Sequence, residues 1–224
     1  MAPPSGTEPA VVHVRWATTG DLTSGHAAML DRTERTRLER LQQPGDRDRF
    51  TLGAVLLRTL VADLDGTEPE MVALDRTCAR CGKQHGPVRV PGRPWHCSVS
   101  HSGPFAIAAV VAGASAGTVG VDLETTCPPD WADLLRDVLT PGEAAPATEE
   151  EFLTLWVRKE AVVKATREGL RRPLSSVDLR TPADGLEVLD LDVGPLLATG
   201  FVAQACAAVA VPGHGRVELE RATV

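Results

Sequence analysis

Val119-Gly-Val-Asp-Leu-Glu124 is the stretch around which the chain is organised. Val119, Val121 and Leu123 point one way and Asp122 and Glu124 the other, the period of a strand with one face in a core. Residues two apart on a strand stand about 7 Å apart at the backbone, which lets both carboxylates converge on one hard cation. Gly120 leaves room beside them. Taken alone, the segment reads first as a strand whose acidic face is wet. A strand, helix and strand pattern restarts at Val119. The small-residue run Ala112-Gly-Ala-Ser-Ala-Gly117 just before it is therefore the expected joint between two halves, 1–114 and 115–224.

Working outward, Val11 to Trp16 alternates as an opening strand, with Val12, Val14 and Trp16 on one face. A polar helical pattern follows over Asp31 to Leu41. Beyond Pro44-Gly45 comes a stronger one, with Phe50, Ala54, Leu57, Val61 and Leu64 at steps of four and three. Residues 66–96 show no period and read mostly as loop. Phe105 to Val111 is a continuous apolar run, the signature of a strand buried on both faces. Past the central stretch, helices are expected around Trp131 to Leu139 and Glu149 to Arg167, and strands near Leu186 to Val193 and Phe201 to Val211. The last residues read as a solvated tail.

The whole chain has 224 residues, 23 Lys+Arg against 30 Asp+Glu and a formal charge of -7. That length suits one large or two small cored domains. Hydrophobic residues make up 43%, and the 17 Pro and 20 Gly are spread along the chain, which excludes a fibrous or disordered class. The acidic balance disfavours general nucleic-acid binding, which needs a basic face. No apolar stretch approaches the ~20 residues of a membrane span. Met1 to Glu8 has neither the basic start nor the apolar core of a secretory signal, so a cytoplasmic protein with no membrane partner is expected. The five cysteines are then thiols or metal ligands before they are disulfides. Cys78-Ala-Arg-Cys81 with His85 has the spacing of half a zinc site. A closed structural site needs four ligands, only His96 or Cys97 is nearby to supply the rest, and the pair is expected to be incidental. Cys127 and Cys206 read as packing. No nucleophile elbow, Walker loop or dinucleotide fingerprint is present.

Three further segments carry chemistry. In Phe152-Leu-Thr-Leu-Trp-Val-Arg-Lys-Glu-Ala-Val-Val-Lys164 the helical wheel gathers Phe152, Leu155, Trp156, Val162 and Val163 into one stripe, with Lys159 in its middle. An ammonium there must snorkel or meet an anion. Glu160 and Lys164 lie one turn apart on the flank, the spacing of an ordinary surface pair. Ser98-Val-Ser-His-Ser-Gly103, ahead of the buried strand, is a plausible phosphate contact or a plain turn. Arg35, Arg37, Arg40, Arg47 and Arg49 read singly as solvated surface, and an anionic ligand would make them a clamp.

In this order and spacing, the serine-histidine block, Val119 to Glu124 and Trp156-Val-Arg-Lys-Glu-Ala-Val-Val-Lys164 resemble the Sfp-type 4′-phosphopantetheinyl transferases. Leu170 to Leu174 continues the family's Gly-Leu and Pro-Leu ending. Asp46 to Arg58, with Arg49, Gly53 and Leu56-Leu57-Arg58, resembles its N-terminal helix. The resemblance implies an α+β fold of two pseudo-twofold halves, each a small sheet packed with helices, in a monomer that is a pseudo-dimer. Coenzyme A would lie in the cleft between the halves and Mg²⁺ on the second.

Carried over residue by residue, Asp122, Glu124 and Glu160 become the metal ligands. Asp122, Ser100 and His101 meet the coenzyme's phosphates, Lys159 and Lys164 lie along its pyrophosphate, and Arg37 and Arg49 hold its nucleotide phosphates. The family's Gly-Lys-Pro block has no clean counterpart. Arg93, in Gly92-Arg-Pro94, or Arg89 stands as the substitute for its lysine. Val157 replaces a small hydroxyl residue.

The implied reaction is attack by a serine hydroxyl of an apo acyl or peptidyl carrier protein on the pantetheine-side phosphorus of coenzyme A, releasing adenosine 3′,5′-bisphosphate. The carriers belong to fatty-acid, polyketide or nonribosomal-peptide synthesis. Such chemistry needs positioning and charge neutralisation more than covalent help. Glu160, directly or through a metal-bound water, is the first choice to take the serine proton and Glu143 the reserve, with Lys164 beside the leaving group. The competing readings are a catalytically silent coenzyme A or carrier-binding module of the same fold and a small zinc-containing interaction domain.

Overall fold

The computed structural model describes residues 10–113, 118–181, 185–213, 215–222 and 224. The first sheet is built from β1 (Val11–Thr18), β4 (Trp95–Ser102), β5 (Phe105–Ala112) and β9 (Arg216–Arg221), in the order β4-β5-β1-β9. β5 runs antiparallel to both neighbours and β9 parallel to β1. The second sheet, in the order β6-β8-β7, joins β6 (Gly120–Glu124), β7 (Leu186–Asp190) and β8 (Cys206–Pro212), all antiparallel.

Helices α1 (Arg32–Arg40) and α2 (Pro44–Asp65) follow β1, while α3 (Trp131–Val138) and α4 (Glu149–Thr166) follow β6. A single turn, α5 (Gly194–Leu197), links β7 to β8. The sequence β1, α2, β4, β5 is thus repeated as β6, α4, β7, β8. The strand order repeats as well, since β4-β5-β1 corresponds to β7-β8-β6. This is the α+β architecture that the resemblance implies. Most of the expected joint, residues 114–117, lies outside the described residues.

Side-chain alternation decides the layering. Phe105, Ile107, Ala109 and Val111 of β5 face Val121, Leu123, Val209 and Val211 of the second sheet, with Val12, Val14 and Trp16 completing this shared core. The alternate residues Ala106, Ala108 and Val110 lie under Leu52, Leu56, Leu57 and Leu60 of α2. On the far side, Ala208 and Ala210 lie under Val157, Ala161, Val162 and Val163 of α4. Helix, sheet, sheet, helix is the order of the layers, and small residues face each helix so that it can sit close.

The helix ends follow from local chemistry. Pro44 opens α2 at its first position and Gly66, with φ 65°, closes it in the left-handed region. Thr148 accepts the Glu151 amide at the start of α4, and Glu149, Glu150 and Glu151 fill the first turn where the helix dipole favours acids. The polar α1 is held by a buried bidentate pair, Arg58 donating to Glu34 at 3.0 and 2.6 Å.

Two expectations are corrected. The region read as loop contains a two-stranded hairpin, β2 (Asp75–Thr77) with β3 (Gln84–Arg89). Its strands are short and polar, so no hydrophobic alternation marks them. The supposed solvated tail is β9, which pairs with β1 from Val11↔Arg216 to Trp16↔Arg221 and packs Val217 and Leu219 on the shared core. The final strand therefore returns to the sheet of the first half. Among the described residues, no helix is long and apolar enough to cross a membrane.

Gly120 sets the spacing of the second half. A Cβ there would stand 1.9 Å from the Ala161 carbonyl oxygen and 2.4 Å from the Ala165 nitrogen, both in the backbone of α4. Backbone cannot swing aside as a flexible side chain can. Gly120→Ala should therefore push α4 off β6, costing ~1–3 kcal/mol or more, read as a lowered thermal midpoint. An unchanged midpoint would refute the close approach.

Candidate active site

The site lies where β4 of the first sheet runs beside β6 of the second. The two strands share no backbone ladder and are joined through serines. Strand period places Ser98, Ser100 and Ser102 on one face of β4. Ser98 Oγ accepts the Val121 amide at 3.1 Å, Ser100 donates to Asp122 Oδ1 at 2.7 Å, and Ser102 donates to Glu124 Oε2 at 2.8 Å while accepting the Thr125 amide at 3.1 Å.

Across this seam comes Lys164, its ammonium 2.6 Å from Asp122 Oδ1 and 2.9 Å from Ser100 Oγ. Glu160 is one turn earlier on the same face of α4, and the Gly120 contact fixes how close that face comes. Asp122 is 3% exposed, so the wet acidic face expected from β6 alone is not what forms.

The electrostatics fit a cation. Asp122 Oδ2 is buried and has no hydrogen-bond partner among the described residues, an arrangement that costs free energy unless something completes it. Burial pushes the Glu124 carboxyl above its usual range; the Ser102 hydrogen bond opposes this, and the charges of Asp122 and Glu160 add to it. Glu160 is raised too, first by burial and then by Asp122. Carboxylates that resist ionising together are the donor set that a divalent ion relieves. Their oxygens do not all lie within 4.8 Å of one another, and Lys164 holds one oxygen of Asp122, so closing on an ion requires the glutamate side chains to turn inward.

On the other face of β4, His101 keeps an open edge to solvent. Its imidazole pKa is lowered by partial burial, against which a bond to its own backbone works, and by the cations Lys164, Arg49 and Arg76. Arg49 donates to the Gly103 carbonyl at 3.1 Å, at the turn that follows Ser102. Farther along, Arg37 donates to the Gln84 carbonyl at 3.0 Å and covers the Phe50 ring at 5.1 Å. Arg37, Phe50, Arg76 and Gln84 line one pocket.

Arg76 is a residue that sequence reading missed. It has no hydrogen bond or ion pair among the described residues, and burial together with the neighbouring Arg37 charge lowers its pKa. A half-buried, unpaired guanidinium beside a second one is a place for an anion. Nothing in the aperiodic segment around it marks it. The Ser98, Ser100, Ser102 spacing, in contrast, could have shown the serine ladder.

Two residues that the resemblance puts on the coenzyme are not brought here. Lys159 is fully buried, and its ammonium meets the Val138 carbonyl at 2.7 Å, Glu143 Oε2 at 2.5 Å and the Leu174 carbonyl at 3.3 Å. An ammonium has three donors, and all three are used. Glu143, the reserve base, is the anion of that pair. Burial raises its carboxyl, but Lys159 and Thr140 outweigh this and hold it below the usual range, which makes it a poor proton acceptor. Arg93 sits at the opposite end of β4 from Ser100, bonded to Asp65, to Thr67 and to the Met71 carbonyl. Arg89 is engaged within the hairpin by Asp75 and the Thr77 carbonyl.

The profile of the 4′-phosphopantetheinyl transferase superfamily matches residues 118–209, from β6 to β8. The 4′-phosphopantetheinyl transferase HetI of Nostoc sp. is 30% identical over 198 residues, 84% of this chain and 81% of its own length. A 4′-phosphopantetheinyl transferase of Bacillus subtilis is 26% identical over 175 residues, 75% of this chain and 73% of its own. A Synechocystis sp. protein provisionally given the same activity is 32% identical, and the chain spans 64% of its length. The chain belongs to the 4′-phosphopantetheinyl transferase superfamily.

Lys159→Ala should strip a buried carboxylate of its partner and cost ~3–5 kcal/mol. The expected result is a much lower thermal midpoint with little change in KM for coenzyme A in the folded fraction. A raised KM at an unchanged midpoint would return the lysine to the coenzyme.

Proposed function

We propose that this chain transfers the 4′-phosphopantetheine group of coenzyme A to a serine of apo acyl or peptidyl carrier proteins, as an Sfp-type enzyme that uses Mg²⁺. The observation that carries the reading is Asp122: a buried carboxylate at the seam between two sheets, tied to Ser100 and Lys164 on one oxygen and unpartnered on the other. Family membership and relatives named for the same transfer support it.

Asp122, Glu124 and Glu160 would hold the ion, with Asp122 Oδ2 the oxygen already free to do so. Bound there, Mg²⁺ supplies charge neutralisation for two adjacent phosphates. The chain's own residues do the rest. Lys164, half-buried beside Asp122, places a fixed positive charge where the leaving phosphate gains negative charge. Glu160, directly or through a metal-bound water, would accept the carrier serine's proton as the serine oxygen bonds to phosphorus and the bond to the adenosine bisphosphate breaks. His101 would offer a ring N–H to phosphate from the other face of β4, where burial and the neighbouring cations Lys164, Arg49 and Arg76 hold its pKa down. Arg37 and Arg76, which share a pocket with Asp31, Glu34 and Asp75, and Arg49 at the Gly103 turn would supply positive charge for the nucleotide's phosphates. In this reading Arg76 takes the role of the missing Gly-Lys-Pro lysine.

Incubating an apo carrier protein with this chain, coenzyme A and Mg²⁺ should give a carrier heavier by one phosphopantetheine in intact mass spectrometry, and omission of Mg²⁺ should abolish the gain. Asp122→Asn and Glu160→Gln should each remove it while circular dichroism stays native. No mass gain with several carrier types would leave the catalytically silent binding module as the better account.

Lys164→Ala should lower kcat ~100-fold, because its charge matters most as the leaving group forms. Arg76→Ala should instead raise KM for coenzyme A ~10-fold or more with kcat little changed, the mark of a contact equal in ground and transition states. The reverse pattern in either variant would overturn this division of roles.

A further inference from the structure

The transfer reaction makes no use of the tip of the hairpin, where β2 turns into β3. There the Cys78 and Cys81 sulfurs and an imidazole nitrogen of His85 lie within 4.8 Å of one another, with Cys81 Sγ 3.0 Å from His85 Nε2. These three are the only such grouping of candidate ligands among the described residues. Two backbone hydrogen bonds tie the turn that gathers them: the Gly82 amide donates to the Cys78 carbonyl at 2.9 Å and the Cys78 amide to the Lys83 carbonyl at 2.8 Å. Gly82, with φ +70°, supplies the left-handed residue that this turn needs straight after the second cysteine. The backbone amides of Arg80 and Cys81 face the Cys78 sulfur, where they favour a thiolate.

Spacing and chemistry agree on the ion. Bonds of about 2.3 Å to sulfur and 2.0–2.1 Å to nitrogen in a tetrahedron put ligand atoms ~3.5–3.8 Å apart, so the Cys81–His85 approach of 3.0 Å need open by only about half an ångström to admit the ion. Two sulfurs and an imidazole are a soft set that selects zinc over the hard cations suited to Asp122 and its neighbours. Cys81 and His85 are exposed and Cys78 is half-buried, so an ion can enter from solvent. The other residues near in sequence are occupied elsewhere: the buried Cys97 thiol faces the Val88 carbonyl at 3.5 Å, and His96 Nδ1 is 3.3 Å from Arg167.

We propose that Cys78, Cys81 and His85 bind one Zn²⁺ at the hairpin tip, with water in the fourth position. Each thiol gives up its proton to solvent as its bond to zinc forms. The consequence for the fold is a clamp. β2 and β3 lead from the tip to Arg76 and Gln84, which line the pocket beside Arg37, and a Cβ at Gly86 would stand 3.0 Å from the Arg76 carbonyl and the Cys78 Cα. Fixing the tip fixes the register of the strand that carries Arg76.

The test is metal analysis of the whole chain, purified without chelator and without an immobilised-metal step. One zinc per chain is expected, and the stripped protein given Co²⁺ should show thiolate-to-metal charge-transfer absorption. Cys78→Ser with Cys81→Ser should lose both signals and melt several degrees lower while keeping a native circular dichroism spectrum. If that variant does not fold, the wild-type zinc content and Co²⁺ spectrum decide alone. Negligible zinc with no charge-transfer band, zinc retained by the folded double variant, or a Cys78–Cys81 disulfide in intact mass analysis would each overturn the proposal.

Discussion

The backbone of α4 rests directly on β6 at Gly120, and the active-site cluster depends on that contact. With no side chain at this position, Ala161 and Ala165 come down to where a Cβ would be. Glu160 and Lys164 share the exposed flank of the same turns and are carried to the level of Asp122. A bulkier residue would lift the helix, and an ammonium moved outward by even a fraction of its hydrogen-bond length loses much of its hold on a buried carboxylate, since the interaction is both short-ranged and geometric. A glycine that reads as space for a cation beside the acids is in fact space for a helix.

The second dependence is between the halves. β4 and β6 meet edge to edge through the Ser98, Ser100 and Ser102 hydroxyls, which satisfy two backbone amides and two carboxylates. Hydroxyls suit this seam because each can donate to an acid and accept from an amide, as Ser102 does. The cost is that Asp122 is buried with only one oxygen satisfied. Such a group is expensive in a merely structural seam, whereas in a catalytic one it is a preorganised ligand. Lys164 is the counter-charge of that carboxylate, and in the proposed reaction a divalent ion on Asp122 would free its ammonium for phosphate.

Much of this was legible in the sequence, and the parts that were not share a cause. Long apolar elements declare themselves: β5 by its unbroken run, α2 and α4 by their periods, and β6 by its alternation. The hairpin of β2 and β3 hides because its strands are polar and contribute little to either core. β9 hides for a different reason. Val217 and Leu219 do alternate with charged residues, but its partner β1 lies some two hundred residues away, and pairing at that distance leaves no local trace. At the site, residue type and spacing pointed to Asp122 and Glu124, and the resemblance added Glu160, Lys164, Ser100 and His101 as proposals. They could not say which cations are already engaged. Arg93 and Lys159 look available in sequence and are consumed by Asp65 and Glu143. Arg76 looks incidental and is unpaired among the described residues.

The contrast between Lys159 and Lys164 shows how one helix uses two lysines for opposite ends. Five residues apart, they project from faces of α4 well over a quarter turn from each other. Lys159 points into the core formed with α3 and the Leu174 turn, where an unpaired ammonium could not survive. Glu143 and two carbonyls enclose it, and it joins α4 to the loop after α3. Lys164 emerges at the seam, 28% exposed, with a carboxylate that a metal can claim from it. A buried pair that is complete stabilises one arrangement and has nothing left to offer a ligand. An incomplete one at a solvent edge can exchange partners. The role proposed for Lys164 therefore rests on the unfinished coordination of its partner more than on the lysine itself, and Asp122 Oδ2 is that unfinished atom.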